Sequence, residues 1–476
     1  MNMQFFQEKF EGEIVKVMRD FKVPGMSIFI TKDGETVYER AFGLREKKKP
    51  KPATIDTLYG ISSITKFITN MGILQLHQAN KLNIEDSISD HVPVSIGFKD
   101  NPIKIKHIMS HASGVPALHT FYFSQMNQEL YKGKTPTFPL GNWDDFYFHI
   151  NSAKDEVIYP PDTRYYYFNG AFALLGQIIE KVSGKPFEDY ITENILKPLE
   201  MNRSTFSNLE AEKDGDSSKG FSFQWANEEI NRTQQDLLCS PFTAGSGGLI
   251  SSVVEMTNLL QCHVNGGEFK GKQILDPELI LEMRKPHNKN IKSTYEEFFP
   301  GGKVAYGYGL RVIEDFHGYT LVSHGGVSGV TGGQIGFIPE LNLTFVQLYN
   351  VSFLSTHPLY TAFTSLIGKD PDEHMPFFRR RKHYKNLCGR YDAYKKILSL
   401  ELKQRYGSLF LEGDFWDGRV SQSLIPCNED PEVMEFYSNT PFGKMYVPFT
   451  KHNNGEITFE YQRYIMHKKT IELEED

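Results

Sequence analysis

Cysteine is scarce in this chain: 476 residues carry four, Cys239, Cys262, Cys388 and Cys427. They are scattered and never spaced Cys-x-x-Cys, so the expectation is free thiols in a reducing cytosol rather than a disulfide framework. Long apolar runs are missing as well. No stretch of about 18 apolar residues occurs, and no transmembrane helix is expected. The start, Met1-Asn-Met-Gln-Phe-Phe, lacks a basic segment followed by an apolar one, so no signal peptide is expected. The localisation these absences imply is cytoplasmic, with no membrane partner. Positive charge is not in excess. Against 59 Asp and Glu stand 52 Lys and Arg, a net charge of −7. A mildly acidic chain binds polyanions poorly, which argues against a nucleic-acid partner. Metal and phosphate signatures are also lacking. There is no His-Glu-x-x-His. The Gly-rich Ala244–Gly248 is not followed by Gly-Lys-Ser/Thr, and Gly325–Gly333 lacks the strand-to-helix setting of a dinucleotide fingerprint. His107 and His111 stand four apart and could face one way on a helix, but no third ligand accompanies them, and they read as structural. No metal and no cofactor is expected. No fixed-period repeat and no low-complexity segment is visible.

What is present is material for a large core. Hydrophobic residues make up 39% of the chain and aromatics 13%, the opposite of a disordered composition. At roughly 150 residues per domain, the length suggests about three domains, or one large catalytic domain with an appendage. Residues 4–20 have the apolar spacing of a helix. Ser27–Thr31 and Thr36–Tyr38 flank Asp33-Gly34, a hairpin signal. Gly309–Val312 and Tyr319–Ser323 flank His317-Gly318, and Gln334–Ile338 and Leu343–Tyr349 flank Pro339. Strands thus lie at both ends of a long stretch whose middle reads as mostly helical. The simplest arrangement is one antiparallel sheet built from both ends, flanked by helices, with an all-helical lobe beside it. The expected domains are 1–368, a linker at 369–383 containing the basic run Arg379–Lys382, and a small all-β domain at 384–476. The basic run reads as a solvated surface or an interdomain contact. Short strands Leu398–Leu402, Leu409–Glu412, Glu435–Tyr437, Lys444–Pro448 and Ile457–Tyr461, with turns at Glu412-Gly413-Asp414 and Asn453-Asn454-Gly455, suggest a barrel or sandwich.

Three local patterns can carry chemistry. Ser63-Ile64-Thr65-Lys66 is the only Ser-x-x-Lys in the chain. Ile64, Phe67, Ile68, Met71 and Leu74 follow at helical spacing, so Ser63 sits near a helix N-terminus with Lys66 one turn along the same face. A serine hydroxyl needs a base within hydrogen-bond reach, and a lysine serves only when burial or a cationic neighbour lowers its pKa. On its own the pattern is also what an ordinary exposed lysine on an amphipathic helix looks like. Tyr167-Phe168-Asn169 could bring a phenol and an amide to the same serine. It precedes an amphipathic helix that ends at Ser183-Gly184. Two other copies, at Tyr384 and Tyr437, fall in the expected β domain and read as coincidences. His324-Gly325-Gly326 follows a strand, and its glycines leave backbone open to a ligand.

In this order the three patterns resemble the serine β-lactamase-like superfamily, within it the class C β-lactamase, D,D-peptidase and esterase branch (peptidase family S12), which includes penicillin-binding-protein-like members. The flanks match too: Ile105–Pro116, Asn169–Gly184, Ala244–Ser251 and Tyr306–Leu310. The resemblance covers about residues 10–365. It implies a β-lactamase/transpeptidase-like α/β (α+β) fold and a serine hydrolase working through an acyl-enzyme. Ser63 would be the nucleophile, with Lys66 and Tyr167 sharing general-base and general-acid work. Asn169, His324, Gly325 and Gly326 would contact substrate. The backbone N–H groups of Ser63 and Val327 would form the oxyanion hole. His324 stands where many members have the lysine of Lys-Thr-Gly. A histidine is mostly neutral at pH 7 and anchors a carboxylate less well, which favours esters or short peptides, some with D-residues, over β-lactams. A β-lactamase or D,D-carboxypeptidase, and a catalytically silent binding protein on the same fold, are the alternatives. Some relatives carry a lipocalin-like C-terminal domain, and an appended β domain with open edges points to a homo-oligomer. The aromatic segment His119–Tyr159 reads as a lid over an apolar substrate or, more simply, as a helical subdomain with its own small core.

Overall fold

The computed structural model describes residues 3–118, 140–226, 229–237, 239–291, 303–353, 355–405, 407–415 and 418–469. The described residues divide into two compact units, the first ending at Phe363 and the second beginning at Thr364.

The first unit is organised on an eight-stranded sheet: β1 (Gly25–Lys32), β2 (Glu35–Glu46), β3 (Lys51–Pro52), β4 (Val304–Tyr306), β5 (Arg311–Phe316), β6 (Tyr319–Val327), β7 (Gly332–Ile338) and β8 (Leu343–Tyr349). Its order is β4-β5-β6-β7-β8-β1-β2-β3. Every neighbouring pair is antiparallel. β1 lies beside β8, from Met26 opposite Tyr349 to Lys32 opposite Leu343, so the two ends of the unit close one sheet as expected. The hairpins form where the sequence signals them. Asp33 and Gly34 have φ of 55° and 80°, and His317 and Gly318 have 56° and 91°, the two left-handed residues that a tight β-hairpin requires. One expectation shifts: β5 begins at Arg311 rather than Gly309, because Gly309 has φ 72° and turns the chain.

Every residue of β7 and β8 is buried, since helices cover both faces of the sheet. On one face the helix Met3–Asp20 buries Phe6, Phe10, Ile14 and Val17. The Phe345 ring joins that helix to the helix His357–Leu366, with centroids 6.4 Å from Phe10 and 6.1 Å from Phe363. On the other face Val322, Ile335, Phe337, Val346 and Leu348 belong to the core shared with the helices Thr65–Gln78, Asn169–Ser183 and Val253–Val264. Burying side chains of this size contributes about 1.5–3 kcal/mol each. The lobe beside the sheet is mostly helical and also holds three two-stranded ribbons, so it is not purely helical. The Asn169–Ser183 helix ends on Gly184 at φ 74°, as Ser183-Gly184 suggests. Of the aromatic segment, residues 119–139 lie outside the described residues, and with them Phe121, Tyr122, Phe123 and Phe138. The rest includes the helix Trp143–Ser152, where Trp143 packs on Phe146, Tyr147 and Phe242. Phe146, Tyr147 and Ile150 join the core that the other helices share with the sheet, so the segment has no separate core of its own.

The second unit holds a closed barrel of eight antiparallel strands between Gly389 and Lys468. All five strands expected from the sequence lie inside it. Glu412-Gly413-Asp414 is no turn but runs inside the strand Ser408–Phe415. Closure pairs the first strand with the last, Tyr391 opposite Lys468, so the open edges expected of this domain are consumed within the barrel. Inward side chains fill it. The Phe459 ring lies 4.7 Å from Tyr391 and 4.9 Å from Phe449, and Phe436 lies 5.6 Å from Phe449. Residues 369–383, read as a linker, carry the helix Pro371–His374 and much of the helix Pro376–Leu387. Both prolines stand in the first turn, where the missing N–H costs nothing, so they start helices rather than break them. The basic run faces acidic chain of its own unit. Arg379 is 3.4 Å from the Glu432 carboxylate, and Arg380 donates to the Glu429 carbonyl.

Candidate active site

Ser63 occupies the 3₁₀ turn Ser62–Ile64, which runs directly into the helix Thr65–Gln78. Ser62 before it takes φ 53°, a left-handed residue that sharpens the turn. The turn is pinned from outside. Thr65 Oγ1 donates to the Ser62 carbonyl at 2.8 Å and accepts from Leu249 N, while Ile61 N donates to the Leu249 carbonyl. Ser63 is left half-buried while its neighbours are buried, so its hydroxyl faces the site.

Lys66 lies one turn along, with Nζ 3.0 Å from Ser63 Oγ, as the spacing implies. Nζ also donates to the Ser246 carbonyl at 2.6 Å. The side chain is fully buried. Nζ stands 4.9 Å from the Tyr167 ring centroid and 5.4 Å from that of Phe172. Burial without an anionic partner holds the ammonium well below its usual pKa, and the amine is left able to accept a proton. Tyr167 shifts the other way. Burial pushes its phenol above the usual range, and a hydrogen bond with Ser63 only partly offsets this. It is therefore a protonated phenol at neutral pH. Asn169, first residue of its helix, is exposed, and among the described residues no hydrogen bond joins it to Lys66.

β6 forms the opposite wall. Gly326 lies so close to the serine turn that a Cβ there would stand 2.1 Å from the Ile61 carbonyl oxygen and 3.1 Å from Ser63 N. Only glycine fits, and this approach brings the strand end Gly325-Gly326-Val327 alongside the backbone of Ser63. Val327 pairs with Gly332 across the hairpin. His324 is buried, its Nε2 2.8 Å from the Tyr306 hydroxyl. Burial, then the charges of Arg311 and Lys66, hold its pKa well below the usual value, so it is neutral. Its ring is 6.4 Å from that of Tyr167. Lys66 and Tyr167 thus meet at the Ser63 hydroxyl, Gly326 brings its strand against the Ser63 backbone, and His324 lies behind Tyr167, while Asn169 is exposed.

Three contributors lie in the segments Ala244–Ser251, Tyr306–Leu310 and Ile105–Pro116 that match the family, but sequence reasoning did not single them out as site residues. Ser246 acts through its carbonyl oxygen. Tyr306 acts through a contact between strands. His111, read as structural, packs its ring 4.2 Å from Tyr167. His107 turns elsewhere, its Nε2 3.3 Å from Asp162. Among the described residues no group of three or more His, Cys, Asp or Glu is placed to hold a metal ion. The other Tyr-x-Asn copies sit on the helix Pro376–Leu387 and the strand Glu435–Thr440, in the second unit. Among the described residues no helix is long and apolar enough to cross a membrane.

Comparison with known proteins places this geometry. Residues 10–360 match the Beta-lactamase family, and residues 371–467 match the Pab87 octamerisation domain. The chain is similar to Protein flp of Staphylococcus aureus (strain MW2), 25% identical over 77% of this chain and 70% of that protein. It is similar to a putative D-alanyl-D-alanine carboxypeptidase of Escherichia coli (strain K12), 26% identical over 55% of this chain and 64% of that one. Among solved structures, an octameric penicillin-binding protein homologue from Pyrococcus abyssi superposes with a TM-score of 0.84 at 31% identity, covering 97% of this chain and 99% of the other. A class C beta-lactamase mutant shares the fold at TM-score 0.61 and 15% identity, covering 77% of this chain and 98% of its own.

Proposed function

The chain belongs to the beta-lactamase family, and on that footing we propose that it is a serine hydrolase forming an acyl-enzyme at Ser63. The observation that carries this is the buried Lys66 amine 3.0 Å from Ser63 Oγ. Lys66 takes the serine proton as the hydroxyl attacks an ester or amide carbonyl. Its depressed pKa supports the base role, and the raised pKa of Tyr167 keeps the phenol protonated, so that it gives its proton to the leaving group as it takes up the one Lys66 collected and both groups end as they began. The sequence alone left this division open. The N–H groups of Ser63 and Val327 are the proposed donors to the oxyanion, and the exposed Asn169 the proposed contact for the substrate amide. Water then releases the acyl group.

For substrate we assign small esters and short peptides, including those ending in D-residues. The resemblance to a putative D-alanyl-D-alanine carboxypeptidase supports the peptide class. Because His324 is neutral, β-lactams are the poorer substrates. The chain is proposed to self-assemble, supported by its match to an octamerisation domain and its likeness to an octameric homologue. A cytoplasmic site fits its four free cysteines.

The test is intact mass after incubation with a fluorophosphonate, and separately with a penicillin, for wild type and Ser63→Ala. A fluorophosphonate adduct lost in Ser63→Ala supports the reading, and a weaker penicillin adduct supports the substrate assignment. A folded wild type that takes up neither reagent overturns it in favour of a binding protein.

A further inference from the structure

The loop after the short helix Ile105–Met109 carries an unusual residue. His111 has φ 55°, a left-handed conformation that costs a side chain about 1–2 kcal/mol and persists where neighbours over-determine it. The neighbours are on the page. The His111 carbonyl accepts from Tyr166 N at 3.2 Å. Its Nδ1 accepts from Phe168 N at 3.3 Å. These two bonds fall on the residues either side of Tyr167, and the imidazole itself lies against the Tyr167 ring, centroids 4.2 Å apart. Asn288 reinforces the arrangement by donating to the carbonyls of His111 and Arg164. The Gly114 turn packs so tightly on the Tyr159 carbonyl that a Cβ would stand 2.0 Å from its oxygen.

Accepting from Phe168 N requires a lone pair on Nδ1, which assigns the ring proton to Nε2. Tyr165, Tyr167, Phe172 and Tyr306 surround the ring, and the cationic or titratable groups acting on it are Lys66, His324 and Arg311. A second proton would face the Phe168 N–H and add positive charge among those groups. His111 is thus held neutral, with its acceptor aimed at the backbone of Tyr167.

We infer that His111 is a positioning residue for Tyr167, fixing the phenol at Ser63 by clamping the peptide on both sides of it. This rests on the reading of Ser63 and Tyr167 given above. It acts through Tyr167 and touches no substrate.

The test compares His111→Asn, His111→Gln and His111→Leu in the full chain. Asn puts an amide oxygen where Nδ1 stands and tolerates left-handed φ. Gln puts its amide near Nε2 and leaves Phe168 N without an acceptor. Fluorophosphonate labelling is followed against reagent concentration. In Gln and Leu the maximal rate is expected to fall about 100-fold, the usual effect of displacing a catalytic group by about 1 Å, while half-saturation changes little. Asn is expected to recover the rate to within about fivefold. Asn no faster than Gln, or Leu as fast as wild type, overturns the inference. A second readout is independent of activity. With tyrosine labelled at the ring Cζ with carbon-13, the Tyr167 resonance, identified by its loss in Tyr167→Phe, should stay put in Asn and move in Gln and Leu. If wild type takes up no reagent, the Ser63 reading fails by itself and this resonance still decides; an unmoved signal in all three variants overturns the clamp. If Leu does not fold, the Asn and Gln pair carries the comparison.

Discussion

Lys66 Nζ stands 3.0 Å from Ser63 Oγ, inside a side chain with no exposed surface. An amine so placed is destabilising in water-like terms and useful in chemical ones, because the burial that disfavours its charge makes it a base.

Lys66→Met tests both halves. The thioether fills similar space without an ionisable group, so acylation should fall at least about 1,000-fold, within the range of general-base contributions. Stability should rise, by about 1 kcal/mol or a few degrees in Tm, as expected where function carries a stability cost. The sign with pH follows from linkage. The unfolded lysine titrates near 10.5 and the folded one well below it, so in that window the unfolded state binds more protons and wild-type stability rises with pH. The advantage of Met over Lys should therefore shrink towards pH 10, measured by calorimetry across the range.

Gly326→Ala should slow acylation about 100-fold or more by pushing β6 off the serine turn. The new Cβ meets backbone, the Ile61 carbonyl oxygen, which cannot swing aside as a side chain could. Labelling kinetics check this, and an unchanged rate would remove β6 from the oxyanion site.

Acid should unfold the protein steeply. His111, His263 and His324 are all buried with pKa values held well below 6.5, chiefly by burial. They are neutral when folded and take up protons when unfolded, so stability is lost as pH falls below 6.5. Three such groups give a slope of up to about 4 kcal/mol per pH unit. His263 lies between the Phe67 and Phe337 rings, and neither of its nitrogens finds a hydrogen-bond partner among the described residues. His263→Phe should remove about a third of the slope and leave Ser63 labelling unchanged. Denaturant titrations at pH 5 to 7 measure it.

The barrel offers a separate handle. Phe449→Ala empties a site between Phe436, Tyr391 and Phe459 and should cost about 3–5 kcal/mol. Native mass spectrometry should then show loss of assembly while monomers still label at Ser63. Assembly that survives a melted barrel would place self-association elsewhere.

Ser63 and Lys66 were legible because their relationship is local: three residues in one helical turn put two side chains on one face. The hairpins at Asp33-Gly34 and His317-Gly318 were legible because turn chemistry is written in adjacent residues. Tyr167 and His324 became legible only as ordered patterns resembling a family, since nothing local links them to Ser63. The helices Pro371–His374 and Pro376–Leu387 were not legible in a segment that reads as a linker, because proline both ends helices and begins them, and only the surrounding packing chooses.

The composition, the strand and helix periodicities and the three chemical patterns on continuous chain were set by the amino-acid order alone. The lowered pKa of Lys66, the carbonyl of Ser246 that holds it, the closure of the barrel and the grip of His111 on Tyr167 were not. Each depends on segments distant in sequence meeting in space. A backbone carbonyl, a burial depth or a left-handed φ at a histidine has no residue type that announces it, and folding must first exclude water and bring the segments together before any of them exists.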